Sequence, residues 1–364
     1  MTSTPHPAAR LLDEAVAAGV MPGAVLAAGL GGEPPAVLHV VGHAQQDRQA
    51  TRPMTADTIF DLASLTKVVA TLPCVLGLIA GGDLELDGPV RRYLAGFDGD
   101  GKDRVTVRQL LTHTSGLPDH RPYFEHLHEP AAVRAAALAE PLVAPPGGTC
   151  TYSDIGFIVL GELCAAIAGC PLDQLAAELV LRPLGMTGTG YRPPQDLLPL
   201  IASTEPVAGT AKTGVVHDEN AEALGGVAGH AGLFGTVADL ARYAAAWAAA
   251  DGALLAAGIT GWLRAEALRC QTTALAQEPP ARRGLGWGLR HDRWDNMGEG
   301  WPATGAGHTG FTGTCLSVDP ASGMWVVLLT NAVHFGRGPE HSVKTLRAQV
   351  HGLIAATLLG SVVQ

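Results

Sequence analysis

Ile59-Phe60-Asp61-Leu62-Ala63-Ser64-Leu65-Thr66-Lys67-Val68-Val69-Ala70 is the stretch where an extended apolar run gives way to helical spacing. Val68, Val69, Leu72, Val75, Leu76 and Ile79 continue at intervals of three and four, the period of a helix with a buried stripe. Three residues is close to one turn, so Ser64 and Lys67 project on the same side, hydroxyl beside amine. The helix start aims free backbone N–H groups and a partial positive charge at whatever approaches Ser64. Pro73 predicts a kink, because it lacks the N–H that would bond back to Val69. The plain alternative is a serine N-cap followed by a snorkelling lysine.

Composition weighs on that choice. Of 24 Lys+Arg, only residues 67, 102, 212 and 344 are lysine. A chain that uses arginine almost everywhere keeps, at 67, the one basic side chain able to give up its proton. With nine serines, the chance expectation for Ser-x-x-Lys is about 0.1.

At 364 residues, 47% hydrophobic and 16% charged, with mean hydropathy +0.20, the chain is a well-buried globular one. A formal net charge of −10 without a basic block argues against nucleic acid or an anionic membrane as partner. No window reaches the unbroken apolar length of a membrane span. The N-terminus lacks a basic region followed by an apolar core, so no signal peptide is visible and a cytoplasmic location is expected. Six cysteines without C-x-x-C pairs read as buried reduced thiols.

Residues 8–19 read as an amphipathic helix. Two apolar runs, Ala24 to Ala28 and Ala36 to Val41, flank a Gly/Pro turn and suggest an antiparallel hairpin. Helical periodicity marks 107–112, 129–140, 154–168 (with Asp154 as N-cap), 171–181 and 239–250. From 284 the chain turns strand-like: Gly284 to Arg290, Gly310 to Val318 and Met324 to Thr330, before a last helix from about 340 to 359. Strands at both ends predict one antiparallel sheet built from the two termini. Residues 1–75 and 236–364 are expected to form an α/β domain, and 76–235 a mostly helical insertion. The cleft between them is the expected active site.

Two further stretches carry chemistry. Tyr152-Ser153-Asp154 follows the turn Pro145-Pro146-Gly147-Gly148 and could present a phenol into a cleft; alone, it reads rather as a buried Tyr ahead of a helix cap. His308-Thr309-Gly310 opens a strand, and His308 taken alone reads as structural. Gly305-Ala306-Gly307-His308-Thr309-Gly310 matches G-x-G-x-x-G, but a strand pattern follows where a dinucleotide site needs a helix. Lys212-Thr213-Gly214 precedes only a short apolar run. Neither G-x-S-x-G nor H-E-x-x-H occurs, against a hydrolase elbow or a zincin.

Ser64-x-x-Lys67, Tyr152-Ser153-Asp154 and His308-Thr309-Gly310, in that order, resemble the three signature elements of the serine β-lactamase and penicillin-binding-protein superfamily, in its class C-like branch of D-alanyl-D-alanine peptidases, amidases and esterases. Leu110 to Pro118 and Gly232 to Thr236 share the likeness, which runs from about Pro22 to Asn331. The resemblance implies a β-lactamase/transpeptidase-like α+β fold and hydrolysis of a small ester, amide or β-lactam without cofactor or metal. It assigns Ser64 as acylated nucleophile, Lys67 and Tyr152 as handlers of its proton, and the Ser64 and Phe311 N–H groups as oxyanion donors. Asp154, His308, Thr309, Gly310 and Phe311 would contact substrate. Alternatives are a β-lactamase or a D-Ala-D-Ala carboxypeptidase, and a slowly deacylating penicillin sensor.

Two departures matter. Asp154 stands where many relatives have Asn, and a carboxylate there favours the ammonium form of Lys67 and leaves Tyr152 as base. His308 stands where many β-lactamases have Lys, so anchorage of an anionic substrate should weaken as pH rises. Finally, His217-Asp218-Glu219-Asn220 and the glycines around His230 suggest a substrate wall whose polar residues bond one another, without a recognised metal-ligand spacing.

Overall fold

A computed structural model describes residues 6–249, 252–275 and 277–360. Its centre is a seven-stranded antiparallel sheet. The strands are β1 (Gly23–Leu30), β2 (Val37–Gln46), β3 (Thr51–Pro53), β4 (Gly288–Leu289), β5 (Ala306–Thr309), β6 (Cys315–Asp319) and β7 (Met324–Thr330). Their order is β3-β2-β1-β7-β6-β5-β4, so the sheet is built from both ends of the chain. β1 lies between its hairpin partner β2 and the distant β7, with Val25 opposite Leu329 and Ala27 opposite Val327.

Both faces of this sheet are covered, which is why β1 and β7 read as continuous apolar runs rather than alternating ones. Val25 and Ala27 with Trp325, Val327 and Leu329 enter one core. Ala24, Leu26 and Ala28 with Met324, Val326 and Leu328 enter the other. The terminal helices α1 (Pro7–Ala17) and α6 (Lys344–Gly360) cover the second core. On the opposite face lie α2 (Leu72–Gly81) and α5 (Val237–Ala248). Between them in sequence lie α3 (Pro130–Ala139), α4 (Asp154–Ala168) and several short helices. The expected helix 239–250 ends at Ala248; Ala250 lies outside the described residues.

A second, three-stranded sheet joins Ile59–Asp61, Leu233–Thr236 and Gly190–Tyr191. It ties the chain entering Ser64 to the chain leaving His230. The expected strand Gly310 to Val318 is broken: β5 ends at Thr309, a turn follows, and β6 starts at Cys315. Of Gly284 to Arg290, only Gly288–Leu289 pairs.

The helix after Ser64 runs on through Pro73 to Gly81. Residues Lys67–Thr71 form a π turn, with the Leu72 N–H bonding five residues back to the Lys67 carbonyl. The Val68 carbonyl, five residues before Pro73, accepts instead from the Tyr243 hydroxyl. A phenol from α5 supplies the bond that proline cannot. The segment Ala63–Gly81, 19 residues of mean hydropathy 1.8, is long and apolar enough to cross a membrane, contrary to the sequence expectation; 78% of it is buried inside the fold. The six cysteines are free thiols, four of them buried.

Burial also makes stability depend on pH. Burial pushes His351 down to about 4, even though its ring bonds the Arg347 carbonyl and the Ser317 hydroxyl. Its ordinary value is 6.5, so the unfolded chain binds the proton first. The stability held by neutral His351 is therefore complete above pH 6.5 and lost as pH falls from there toward 4. At pH 5 the loss from this one group is about 2 kcal/mol. Thermal melts at pH 8 and pH 5 should show His351→Gln losing less on acidification than the parent.

Candidate active site

Ser64 sits in a single helical turn, Ala63–Leu65, immediately before the π turn. Ala63 has φ +47°, a strained conformation for a residue with a side chain. Asp61 holds it there: its carboxylate accepts from the Ala63 N–H at 2.8 Å and from the His217 N–H at 2.6 Å.

The amine of Lys67 is the hub. It donates to Ser64 Oγ at 2.8 Å, to Asp154 Oδ1 at 2.7 Å and to the His230 carbonyl at 3.2 Å. Its side chain is wholly buried. Burial pulls the amine's proton affinity down, but the Asp154 carboxylate and the Tyr152 oxygen outweigh it, and the net direction is up. Lys67 is an ammonium with its three protons already placed. Asp154 is not the N-cap expected of it: Ser153 caps α4, its Oγ accepting from the Gly156 N–H at 3.0 Å. That leaves Asp154, one residue inside the helix, free to reach Lys67.

Tyr152 stands over this pair, Lys67 Nζ lying 4.9 Å from its ring centroid. Its ring packs on His113 at 4.6 Å, on His308 at 5.9 Å and on Trp294 at 6.0 Å.

The third element closes on the first. After His308 and Thr309 on β5, the turn 310–314 is pinned onto the backbone before Ser64: Thr312 Oγ1 donates to the Asp61 carbonyl at 2.8 Å and Thr314 Oγ1 to the Leu62 carbonyl at 3.2 Å. Arg347 of α6 clamps it from behind, one nitrogen donating to the Gly310 and Thr314 carbonyls at 2.8 and 2.9 Å. Among the described residues, neither the Ser64 nor the Phe311 N–H has an internal acceptor. Gly310 permits the approach: a Cβ there would lie 2.2 Å from Thr314 Oγ1 and 2.5 Å from the Leu62 carbonyl oxygen. Gly310→Ala should therefore displace the turn and lower kcat about 100-fold or more with little change in KM, the signature of a lost transition-state donor. Steady-state kinetics on any turned-over ester checks it.

Ser64, Tyr152, His308 and Phe311, with Arg283 and Trp294, line a cavity of about 620 Å³. Phe311 is 61% exposed at its mouth, stacked on His217. His308 departs from expectation. It is buried, and burial first, then the charges of Lys67 and Arg283, hold it well below its usual range. Its Nδ1 contacts the Thr309 carbonyl at 2.9 Å; a carbonyl only accepts, so Nδ1 carries the proton and the buried Nε2, which has no partner, is a bare acceptor. A neutral His308 cannot anchor an anion that weakens as pH rises.

The His230 side chain turns away from the cavity toward Asp218 at 2.9 Å, so only its carbonyl reaches the site. Gly229 allows this, since a Cβ there would lie 2.0 Å from the Phe157 carbonyl oxygen. His217 pairs with Glu205 instead of its neighbours, and Lys212 of the Lys-Thr-Gly decoy pairs with Glu222. Sequence reading missed Arg283, Trp294 and the clamp residues Thr312, Thr314 and Arg347. No motif marks them, because their place follows from packing between distant segments.

Residues 8–349 match the model of the Beta-lactamase family. A protein of Escherichia coli (strain K12), provisionally named D-alanyl-D-alanine carboxypeptidase, is 32% identical over 323 residues, covering 77% of this chain and 70% of the relative. Among solved structures, a class C beta-lactamase superposes with TM-score 0.74 at 22% identity, over 96% of this chain and 97% of that one. The hydrolase EstCE1, described with promiscuous acyltransferase activity, superposes with TM-score 0.70 at 23% identity, over 95% and 97%.

Proposed function

Because this chain belongs to the beta-lactamase family, a family of serine hydrolases, we propose that it cleaves an ester or amide of a small substrate through an acyl-enzyme on Ser64. The observation that carries this reading is the Lys67 hub, which holds Ser64 Oγ at 2.8 Å while being itself neutralised by Asp154 at 2.7 Å. A serine hydroxyl needs a neighbouring base to become a nucleophile, and an ammonium with its protons engaged is not one. Tyr152, on the same cavity as Ser64, is the base. Lys67 orients the hydroxyl and offsets the charge that Tyr152 carries as the base. The Ser64 and Phe311 N–H groups receive the oxyanion, held in place by the Thr312, Thr314 and Arg347 bonds. Thr309 and Gly310 form the wall beside the scissile bond, and His308 offers its Nε2 as acceptor.

A second reading, D-alanyl-D-alanine carboxypeptidase, is favoured by the name of the Escherichia coli relative at 32% identity. Parallel turnover of short-chain nitrophenyl esters, a chromogenic cephalosporin and a D-Ala-D-Ala peptide decides between them. The ester-hydrolase reading predicts ester turnover well above the peptide. Peptide turnover exceeding that of the esters would replace it with the second. A Ser64 adduct that persists with no turnover would mark a penicillin sensor instead.

A further inference from the structure

Asp61 touches both sides of the oxyanion site. It ends the short strand Ile59–Asp61 and is 2% exposed. One carboxylate oxygen accepts from the Ala63 N–H at 2.8 Å and the other from the His217 N–H at 2.6 Å, while its main-chain carbonyl accepts from Thr312 Oγ1 at 2.8 Å. The first bond governs the Ser64 side. Ala63 is held at φ +47°, and rotation about its N–Cα bond swings the peptide unit that carries the Ser64 N–H. The other two bonds govern the Phe311 side. Thr312 directly follows Phe311, and the His217 ring stacks on the Phe311 ring, with centroids 5.7 Å apart and planes 21° apart. Among the described residues no arginine or lysine pairs with this carboxylate; its partners are the two backbone N–H groups. Burial pushes the carboxyl up, and the charge of Asp218 adds to that, against the pull of the two N–H bonds and of His217. A buried charge without a cation destabilises a fold, and such groups are kept where geometry matters more than stability. Only a carboxylate offers two acceptor oxygens to N–H donors arriving from two separate segments.

We propose that Asp61 is a positioning residue that fixes the gap between the Ser64 and Phe311 N–H groups, setting the pair to the size of an oxyanion. This rests on the serine-hydrolase reading, in which those two groups receive the developing charge. As the bond from Ser64 Oγ to the carbonyl carbon forms, the carbonyl π pair moves onto oxygen and both donors close on it. Donors carried by separate segments stabilise that charge without rearranging only if the segments are already held in register. Asp61 grips both, one through the Ala63 N–H and the other through the Thr312 hydroxyl and the ring of His217. Asp61 touches neither the substrate nor the reacting atoms, and acts through the backbone on either side.

The test compares turnover of nitrophenyl acetate with that of its thionoester analogue, in which sulfur replaces the carbonyl oxygen. Sulfur is larger and a weaker acceptor, so a gap set to oxygen favours the oxo ester. Asp61→Asn keeps one acceptor oxygen but turns an amide nitrogen toward the other donor. It should lower kcat on the oxo ester about 10- to 100-fold with KM little changed. The thionoester rate should fall far less, narrowing the oxo-to-thiono ratio about tenfold. Asp61→Ala should narrow it further. A packing role would lower both rates together, through loss of active enzyme, and leave the ratio at its wild-type value. Thr312→Val, which cuts the bond to the Asp61 carbonyl, should move the ratio in the same direction and carries the test even where the Asp61 variants fail to fold. A wild-type ratio in the folded Asp61 variants, or in Thr312→Val where those do not fold, overturns the proposal, as does a wild-type enzyme without preference for the oxo ester. Ser64→Ala separates the two levels: if it is inactive while Asp61→Asn keeps the wild-type ratio, only the Asp61 role falls. If Ser64→Ala turns over both esters at wild-type rates, the serine reading fails and Asp61 falls with it.

Discussion

Ser64→Ala abolishes turnover of every substrate the enzyme accepts, with kcat falling by about 10⁴-fold or more, while the fold is unchanged. The size follows from covalency. Without Oγ the path through the acyl-enzyme is closed, and what survives is water attack assisted by the oxyanion donors. Stability should barely move, because Ser64 is half-buried and the bond described for its side chain is the one it accepts from Lys67. Initial rates with the ester panel check the first point and a thermal melt the second. Residual activity within tenfold of wild type would remove Ser64 from the mechanism.

Tyr152→Phe lowers kcat/KM by about 10²- to 10⁴-fold, the range for loss of a general base, with KM little changed. Lys67→Met produces a comparable kinetic loss and a second effect absent from Tyr152→Phe. It leaves the Asp154 carboxylate, 22% exposed, without its cation, at a cost of about 3 kcal/mol in stability. The contrast separates the two roles, since a base can be removed without disturbing the ion pair and the orienting cation cannot. Burst kinetics with a nitrophenyl ester measures acylation directly. Near-full acylation in Tyr152→Phe would move the base to Lys67.

The sheet was legible because its information is local. Apolar runs at 24–28 and 324–330 announce strands, and their position at the two ends of the chain forces the pairing of β1 with β7. Ser64 and Lys67 were legible for the same reason, being one helical turn apart. Tyr152 and the His308 segment became legible only together, as an ordered set. What stayed hidden depends on contacts between distant segments. Asp154 reads as a helix cap until Lys67, 87 positions earlier, is seen to claim it. His308 reads as a titrating anchor until its burial beside two cations is known. The π turn ahead of Pro73 and the Tyr243 hydroxyl that bonds the Val68 carbonyl are not written in the proline's neighbours. Arg283 carries no signal at all in Ala281-Arg282-Arg283-Gly284. It becomes visible only where the fold brings it beside Tyr152.

Whether a covalent intermediate forms on Ser64 is the question on which the rest depends. Mixing the enzyme with a nitrophenyl ester, quenching in acid within the burst and mapping the peptides by mass spectrometry answers it. One added acyl group on the peptide containing Ser64, absent from Ser64→Ala and lost on longer incubation, is the predicted result. Steady turnover with no adduct at Ser64, or an adduct on another residue that Ser64→Ala leaves intact, would contradict it.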